Sequence, residues 1–112
     1  MQGKERGMGE LTGRQRRVLR GIGQELPPAA TIGKAGLTPS AIENIRRLFE
    51  AAELLKVRLP GESPKARKET AGRLAEAVGA ELVGLVGRSA LLYRANEALA
   101  PEKRIRLDRQ GD

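Results

Sequence analysis

The sequence predicts an α/β fold (α+β, two-layer-like) in which helices pack on a four-stranded mixed sheet. Apolar residues recur at helical spacing in three segments and alternate with polar residues in the segments between them. Glycine and proline pairs separate these segments. The resulting order is α-β-α-β-α-β-β. Strands joined through a helix run parallel with a right-handed crossover, and a closing hairpin adds an antiparallel pair.

The first helix is expected to begin near Thr12 and to end at the sequence Gly21-Ile22-Gly23. Residues 1–20 contain six basic and two acidic side chains, a net +4 of the total +7. The excess charge of the chain therefore lies mainly on this helix. Its predicted apolar stripe consists of Leu11, Val18, Leu19 and Ile22. Three arginines are predicted to project from the opposite face, either as a solvated face or as a binding surface: Arg16, Arg17 and Arg20.

A strand at about 29–33 leads into the turn Gly33-Lys34-Ala35-Gly36, and a second helix follows from Pro39 to Ala52. Thr38 is a good N-cap, and proline is favoured at the first helical position. Two glycines, a lysine and a helix N-terminus together suit a backbone phosphate. The alternative is a tight turn whose glycines only satisfy sterics.

The second half of the chain supplies the remaining elements. The segment 55–59 alternates as a half-buried strand, and the segments 81–87 and 90–94 form a hairpin. Between them, Ser63 caps a third helix that ends at Gly79. The first turn of that helix carries a basic cluster that we expect to face solvent: Lys65, Arg67 and Lys68.

These elements divide the chain into three parts. Residues 1–10 are glycine-rich and polar and are expected to form a disordered tail. Residues 11–95 form the domain, and residues 96–112 form a basic, polar C-terminal tail that we expect to be loosely held. The chain has no apolar run of membrane-spanning length and no hydrophobic signal region, so we expect a cytoplasmic protein without a membrane partner. We also expect a monomer.

Composition narrows the function. A net charge of +7 over 112 residues indicates a polyanionic partner. The sequence has no cysteine and no histidine, which argues against zinc and other metal sites and against the common nucleophilic triads. We therefore expect no cofactor. No catalytic constellation is visible, so we expect no enzyme. The two aromatic residues, Phe49 and Tyr93, are too few for a base-stacking platform, and Tyr93 is assigned to the sheet.

Four stretches occur in an order and spacing that resemble one known family. They are Leu11-Thr12-Gly13-Arg14-Gln15-Arg16 with Leu19-Arg20, Ile32 to Thr38, Glu53 to Val57, and Val86-Gly87-Arg88 with Leu91-Leu92-Tyr93-Arg94. Together they resemble the CRM domain, named for chloroplast RNA splicing and ribosome maturation, in its stand-alone bacterial form. The resemblance implies a fold similar to the C-terminal domain of translation initiation factor three. It also implies binding of RNA, namely ribosomal RNA of large-subunit precursors, in support of ribosome assembly.

The resemblance also implies which residues contact RNA. The GxxG loop of the family falls on Gly33, Lys34, Ala35 and Gly36. Its other basic positions fall on Arg16 and Arg20 in the first helix and on Arg88 and Arg94 in the hairpin. Ala35 stands where the family usually has a polar residue, so one side-chain contact is lost.

Two other classes of function compete with this one. A DNA-binding regulator could use the basic first helix, although Pro27-Pro28 and a strand follow that helix where a helix-turn-helix would have its recognition helix. A protein-binding adaptor is the other alternative, and loss of its partner after RNase treatment would count against it.

Overall fold

The computed structural model describes residues 11–61 and 63–107. The predicted order of helices and strands is confirmed. The predicted disordered tail, residues 1–10, lies outside the described residues, as do the last five residues. The elements are α1 (Gly13–Glu25), β1 (Ala30–Thr31), α2 (Pro39–Leu48), β2 (Leu54–Arg58), α3 (Pro64–Val78), β3 (Glu81–Val86), β4 (Ser89–Tyr93) and a 3-10 helix (Pro101–Lys103).

The predicted four-stranded mixed sheet is also confirmed, with the strand order β1-β2-β4-β3. β1 runs parallel to β2, and β4 is antiparallel to both of its neighbours, β2 and β3. The last strand of the chain therefore lies inside the sheet, and β1 and β3 form its two edges. Because β2 and β3 both oppose β4, they run in the same direction.

Helices cover both faces of the sheet, so the layering is α/β/α instead of the two layers expected. On one face α2 and α3 enclose a core that includes Ile45, Phe49 and Leu74. On the other face α1 packs through Leu19 onto Leu91. The alternation of β2 and β4 supplies apolar side chains to both cores. Among the described residues, no helix is long and apolar enough to cross a membrane.

The first helix is longer than predicted and is rotated about its axis. It continues to Glu25, and its buried residues are Leu19 and Gly23, whereas Ile22 is 38% exposed. A Cβ at Gly23 would lie 2.6 Å from the Cδ2 atom of Leu91. Gly23 therefore serves as a point of close approach to the sheet, and the helix does not stop there. A capping box formed by Thr12 and Gln15 fixes the start of the helix.

The segment 96–107, which we call the C-terminal segment, packs on the domain and is not loosely held as expected. Leu107 is buried in the α1-side core. The buried carboxylate of Glu53 accepts hydrogen bonds from the backbone N–H groups of Asn96 (2.7 Å) and Ile105 (2.6 Å) and from Arg104 Nε (3.0 Å). This hydrogen bond from Arg104 raises the pKa of its guanidinium above the ordinary value. One carboxylate thus fixes both ends of the segment.

Candidate functional site

The GxxG loop, Gly33 to Gly36, connects β1 to α2 as a tight exposed turn. The N–H of Gly36 donates to the carbonyl of Gly33 at 2.9 Å, and Gly36 has a φ of +79°, where glycine is favoured. Gly33 has no such backbone requirement, and nothing lies within 4 Å of a Cβ added to it. Lys34 and Ala35 are exposed at the tip. The turn therefore needs only its second glycine.

The loop presents hydrogen-bond donors to solvent. Thr38 caps α2 by accepting a hydrogen bond from the N–H of Ala41 at 3.1 Å. Within the described part of the chain, the backbone N–H groups of Lys34 and Ala35 have no acceptor. These donors, the lysine charge and the positive end of the α2 dipole favour an anion at this position.

The loop lies at the end of the sheet where β1, β2 and β3 finish, which we call the loop end. There the N–H of Ile32 donates to the carbonyl of Arg58 at 2.8 Å, and the N–H of Leu59 donates to the carbonyl of Arg88 at 3.0 Å. The exposed Arg88 thus lies at the same end as the GxxG loop. Both α2 and α3 begin at this end, because each follows a strand that finishes there.

Arg94, in contrast, lies at the opposite end of the sheet. It follows Tyr93, which pairs with Leu54 at the start of β2, and its N–H donates to the carbonyl of Glu53. The structure therefore separates Arg94 from the GxxG loop by the length of the sheet. Tyr93 is half-buried in the α1-side core, in agreement with its assignment to the sheet.

Arg16 and Arg20 do not project away from the sheet, and this expectation was wrong. Arg16 Nη1 donates to the carbonyls of Leu82 (2.8 Å) and Val83 (3.2 Å), and Arg20 Nη2 donates to the carbonyl of Val83 at 3.3 Å. The register of β3 is irregular at this point, and a Cβ at Gly84 would overlap the Arg20 guanidinium. The two arginines therefore satisfy carbonyls of an irregular edge strand.

This placement also separates the two arginines from the loop. They contact β3 at one edge of the sheet, whereas the GxxG loop follows β1 at the other edge. Three strand spacings amount to about 14 Å. Of the predicted site residues, the structure brings together the loop and Arg88 only.

Arg67 is a residue of the loop end that the sequence reasoning missed. It was expected to be solvated, but it is only 8% exposed and donates from Nη1 to the carbonyl of Gly61 at 2.9 Å. The signal was present in the helical spacing of the residues that α3 buries. These are Arg67, Ala71, Leu74, Ala75 and Val78.

The chemistry available at the loop end is that of an anion-binding surface. Its described side chains are cationic or neutral, and its backbone contributes N–H donors. Among the described residues, no group of three or more histidine, cysteine or carboxylate side chains could hold a metal ion. The surface can bind phosphate groups by charge and hydrogen bonding.

Comparison with known proteins agrees with this reading of the fold. Residues 11–94 match the CRS1 / YhbY (CRM) domain. The chain is similar to the "Probable RNA-binding protein YqeI" of Bacillus subtilis, with 31% identity over 87 residues, 78% of this chain and 91% of that protein. It is equally similar to the "Probable RNA-binding protein MJ0652" of Methanocaldococcus jannaschii, with 31% identity over 107 residues, 88% of this chain and 79% of that protein.

A solved structure extends the similarity to three dimensions. The solution structure of SAV1595 from Staphylococcus aureus superposes with a TM-score of 0.75 at 33% identity, covering 87% of this chain and 100% of that one. The family match includes every strand of the sheet and all three α-helices. The chain belongs to the CRS1 / YhbY (CRM) domain family.

Proposed function

We propose that this chain binds RNA through the loop end of its sheet and assists assembly of the large ribosomal subunit. The GxxG loop holds the phosphate backbone, and Arg88 adds charge beside it. Family membership supports RNA as the partner, and the relatives YqeI and MJ0652 are both named as probable RNA-binding proteins. The ribosomal role rests on the resemblance to the stand-alone bacterial members.

The observation that carries the proposal is that neither the backbone conformation nor the packing at Gly33 requires glycine. Its backbone has no positive φ, and space around its Cα is open. A residue without a side chain allows a ligand to approach the backbone closely. Together with the backbone N–H groups of the exposed residues Lys34 and Ala35, it provides a set of donors for a phosphate.

The remaining parts of the proposal follow from charge and composition. With a net charge of +7, the protein binds RNA mainly through phosphate contacts, so affinity falls steeply with salt. We propose that it acts in the cytoplasm as a monomer, without a cofactor and without catalysing a reaction. RNA shape and backbone provide recognition, because the chain has only two aromatic residues for stacking.

The DNA-binding alternative depends on α1 and is weaker for that reason. Arg16 and Arg20 direct their guanidinium groups at carbonyls of β3 instead of projecting away from the domain, as a groove-reading helix would require. Competition of a labelled structured RNA by unlabelled duplex DNA separates the two functions. We expect structured RNA to compete at far lower concentration than DNA.

The decisive variant places two carboxylates on the loop. Lys34→Asp with Ala35→Asp should abolish RNA binding, because the acids occupy the N–H donors and repel phosphate. The fold should survive, since both side chains are exposed and acids near a helix N-terminus are tolerated. A matched control is Lys103→Asp, an exposed lysine in the 3-10 helix that is not at the loop end.

The readouts are a mobility-shift titration and sedimentation with large-subunit precursors in a sucrose gradient. Wild type and Lys103→Asp should bind and co-sediment, and the double-Asp variant should remain at the top. If a folded double-Asp protein co-sediments like wild type, the GxxG loop is not the RNA contact.

A further inference from the structure

Two arginines converge on one backbone carbonyl in the turn between β2 and α3. Arg67 Nη1 donates to the carbonyl oxygen of Gly61 at 2.9 Å, and Arg88 Nη1 lies 3.5 Å from the same oxygen. Arg67 comes from the first turn of α3, and Arg88 comes from the turn between β3 and β4. The carbonyl is neutral, and within residues 11–61 and 63–107 no carboxylate forms a salt bridge with either guanidinium group.

Arg67 is incompletely satisfied at this position. The residue is 8% exposed, and its Nε atom is buried without a hydrogen-bond partner. The one hydrogen bond of Arg67 is the bond from Nη1, which leaves Nη2 without an acceptor in the described residues. A buried donor without an acceptor is costly, and a phosphate oxygen that reaches Nη2 would add to the hydrogen bonding of this guanidinium.

The start of α3 increases the positive potential at the same place. Ser63 caps the helix by accepting from the N–H of Ala66 at 3.2 Å, and Pro64 occupies the first helical position. α3 has 15 residues, so its dipole is fully developed. The exposed Lys65 and Lys68 lie on the same first turns. A helix N-terminus alone would not define a site, but here a buried, unsatisfied arginine is directed to it.

We propose that Arg67 and Arg88 bind a second phosphate of the same RNA strand that the GxxG loop holds. This inference rests on the proposed function and specifies its geometry. The strand ends are adjacent in the order β1, β2, β4, so the arginine pair lies about two strand spacings, or about 10 Å, from the end of β1.

The two positions would bind phosphate by different chemistry. At the GxxG loop, backbone N–H groups and the point charge of Lys34 surround the anion. At Gly61, planar guanidinium groups offer paired donors that match two phosphate oxygens. Lysine retains charge at such a position but loses the paired geometry.

The test measures how the RNA-binding constant of three variants depends on salt concentration. Each variant is titrated with a single-stranded RNA and with a structured RNA. Arg88→Ala removes an exposed side chain and should leave the fold intact. It should lower the slope of log K against log salt by about 0.7 on the single strand, the value for one phosphate contact. The matched control is Arg73→Ala, an exposed arginine farther along α3, which should leave the slope unchanged.

Arg67→Lys tests the buried member of the pair. It should weaken RNA binding several-fold at one salt concentration while keeping most of the slope, because charge remains and the paired donors are lost. A purely structural role would instead lower the melting temperature without changing RNA affinity. If this variant does not fold, Arg88→Ala alone decides the outcome.

A second measurement uses inorganic phosphate as the probe. Titration monitored by NMR should shift the Nε–H signals of Arg67 and Arg88 and the backbone N–H of Ser63, and these shifts should vanish in Arg88→Ala. If wild type does not bind RNA, the proposed function fails. If the double-Asp loop variant loses RNA but Arg88→Ala retains the wild-type slope and affinity, the second position is wrong and the loop remains.

Discussion

The carboxylate of Glu53 lies 3.0 Å from Arg104 Nε, joining the start of β2 to a residue 51 positions later in the chain. Glu53 is 1% exposed, and its two oxygens also accept the N–H groups of Asn96 and Ile105. Removing one member of a buried ion pair leaves the other member unpaired, which lowers the free energy of unfolding by about 3–5 kcal/mol. Glu53 therefore anchors the C-terminal segment.

Glu53→Gln should lower the free energy of unfolding by about 3 kcal/mol, because the amide replaces one acceptor by a donor that faces N–H groups. Urea denaturation measures this. The control Glu50→Gln changes an exposed glutamate and should alter stability by less than about 0.5 kcal/mol. Equal stability of the two variants would show that the segment is held by its apolar residues.

The contribution of the Arg104 charge should not vary near neutral pH. The hydrogen bond to Glu53 raises the pKa of Arg104. A group with a raised folded-state pKa stabilises the fold fully below its unfolded pKa, and the contribution is lost as pH rises through the folded pKa. Both values lie far above neutrality, so the difference in stability between wild type and Arg104→Ala should be constant from about pH 7 to pH 9. A steady decline over that range would contradict this assignment.

Arg16→Ala should destabilise the domain by about 1–3 kcal/mol, because two carbonyls of β3 lose a charged donor. Arg17→Ala is the matched control: it is the next residue of α1, it is exposed, and its loss should cost less than about 0.5 kcal/mol. Thermal unfolding followed by circular dichroism distinguishes them. If Arg16→Ala is as stable as Arg17→Ala, the hydrogen bonds of Arg16 to β3 do not stabilise the domain, and Arg16 behaves as a solvated side chain.

Two glycines of α1 should respond oppositely to alanine. Gly23→Ala places a methyl group 2.6 Å from Leu91 Cδ2, a fully buried side chain, and should cost about 1–3 kcal/mol. Gly21→Ala meets nothing within 4 Å and should stabilise the helix by about 0.5–1 kcal/mol. Denaturation midpoints give both values. If Gly23→Ala is as stable as Gly21→Ala, α1 does not depend on close approach to the sheet.

The two glycines of the GxxG loop have different proposed roles, which Gly33→Ala and Gly36→Ala distinguish. Gly36 is required by the backbone conformation of the turn, whereas Gly33 allows a phosphate to approach the backbone closely. Gly36 has a φ of +79°, so Gly36→Ala should cost about 1 kcal/mol or more of stability. Gly33→Ala should fold like wild type but bind RNA more weakly, because its methyl group projects into the space of the phosphate. A Gly33→Ala protein with unchanged RNA affinity would mean that the ligand does not approach this backbone.

The order of elements was predictable because periodicity and turn residues are local signals. Thr38 and Ser63 cap their helices as predicted, and Gly79 ends α3 in the left-handed conformation. The GxxG loop was recognisable for the same reason, since its glycines, lysine and helix start are contiguous in sequence. The strand predicted at 55–59 is found as β2, in which Val57 is buried and Arg58 is exposed.

The failures on α1 and on the C-terminal segment involve contacts between residues that are distant in sequence, whereas Arg67 was missed although its contact with Gly61 is local. The rotation of α1 depends on carbonyls that the irregularity in β3 presents to Arg16, about 66 residues away in sequence. A periodicity analysis counts arginine as polar and therefore places it outside. The C-terminal segment was missed because the partners of Glu53 are mainly backbone N–H groups, which have no sequence signature.

The position of β4 in the sheet has a consequence for synthesis of the protein. β2 and β3 do not pair with each other; each pairs with β4, which is the last of the four strands to be synthesised. A nascent chain that has emerged only as far as Val86 therefore has its GxxG loop and all three helices but no closed sheet. The sheet can close only after Ser89 to Tyr93 have been synthesised, and Glu53 can accept its hydrogen bond from Ile105 only after that residue has been added. The sheet therefore closes only after β4 has been synthesised, and an incomplete chain released before that point would present β2 and β3 with unpaired edges that favour aggregation.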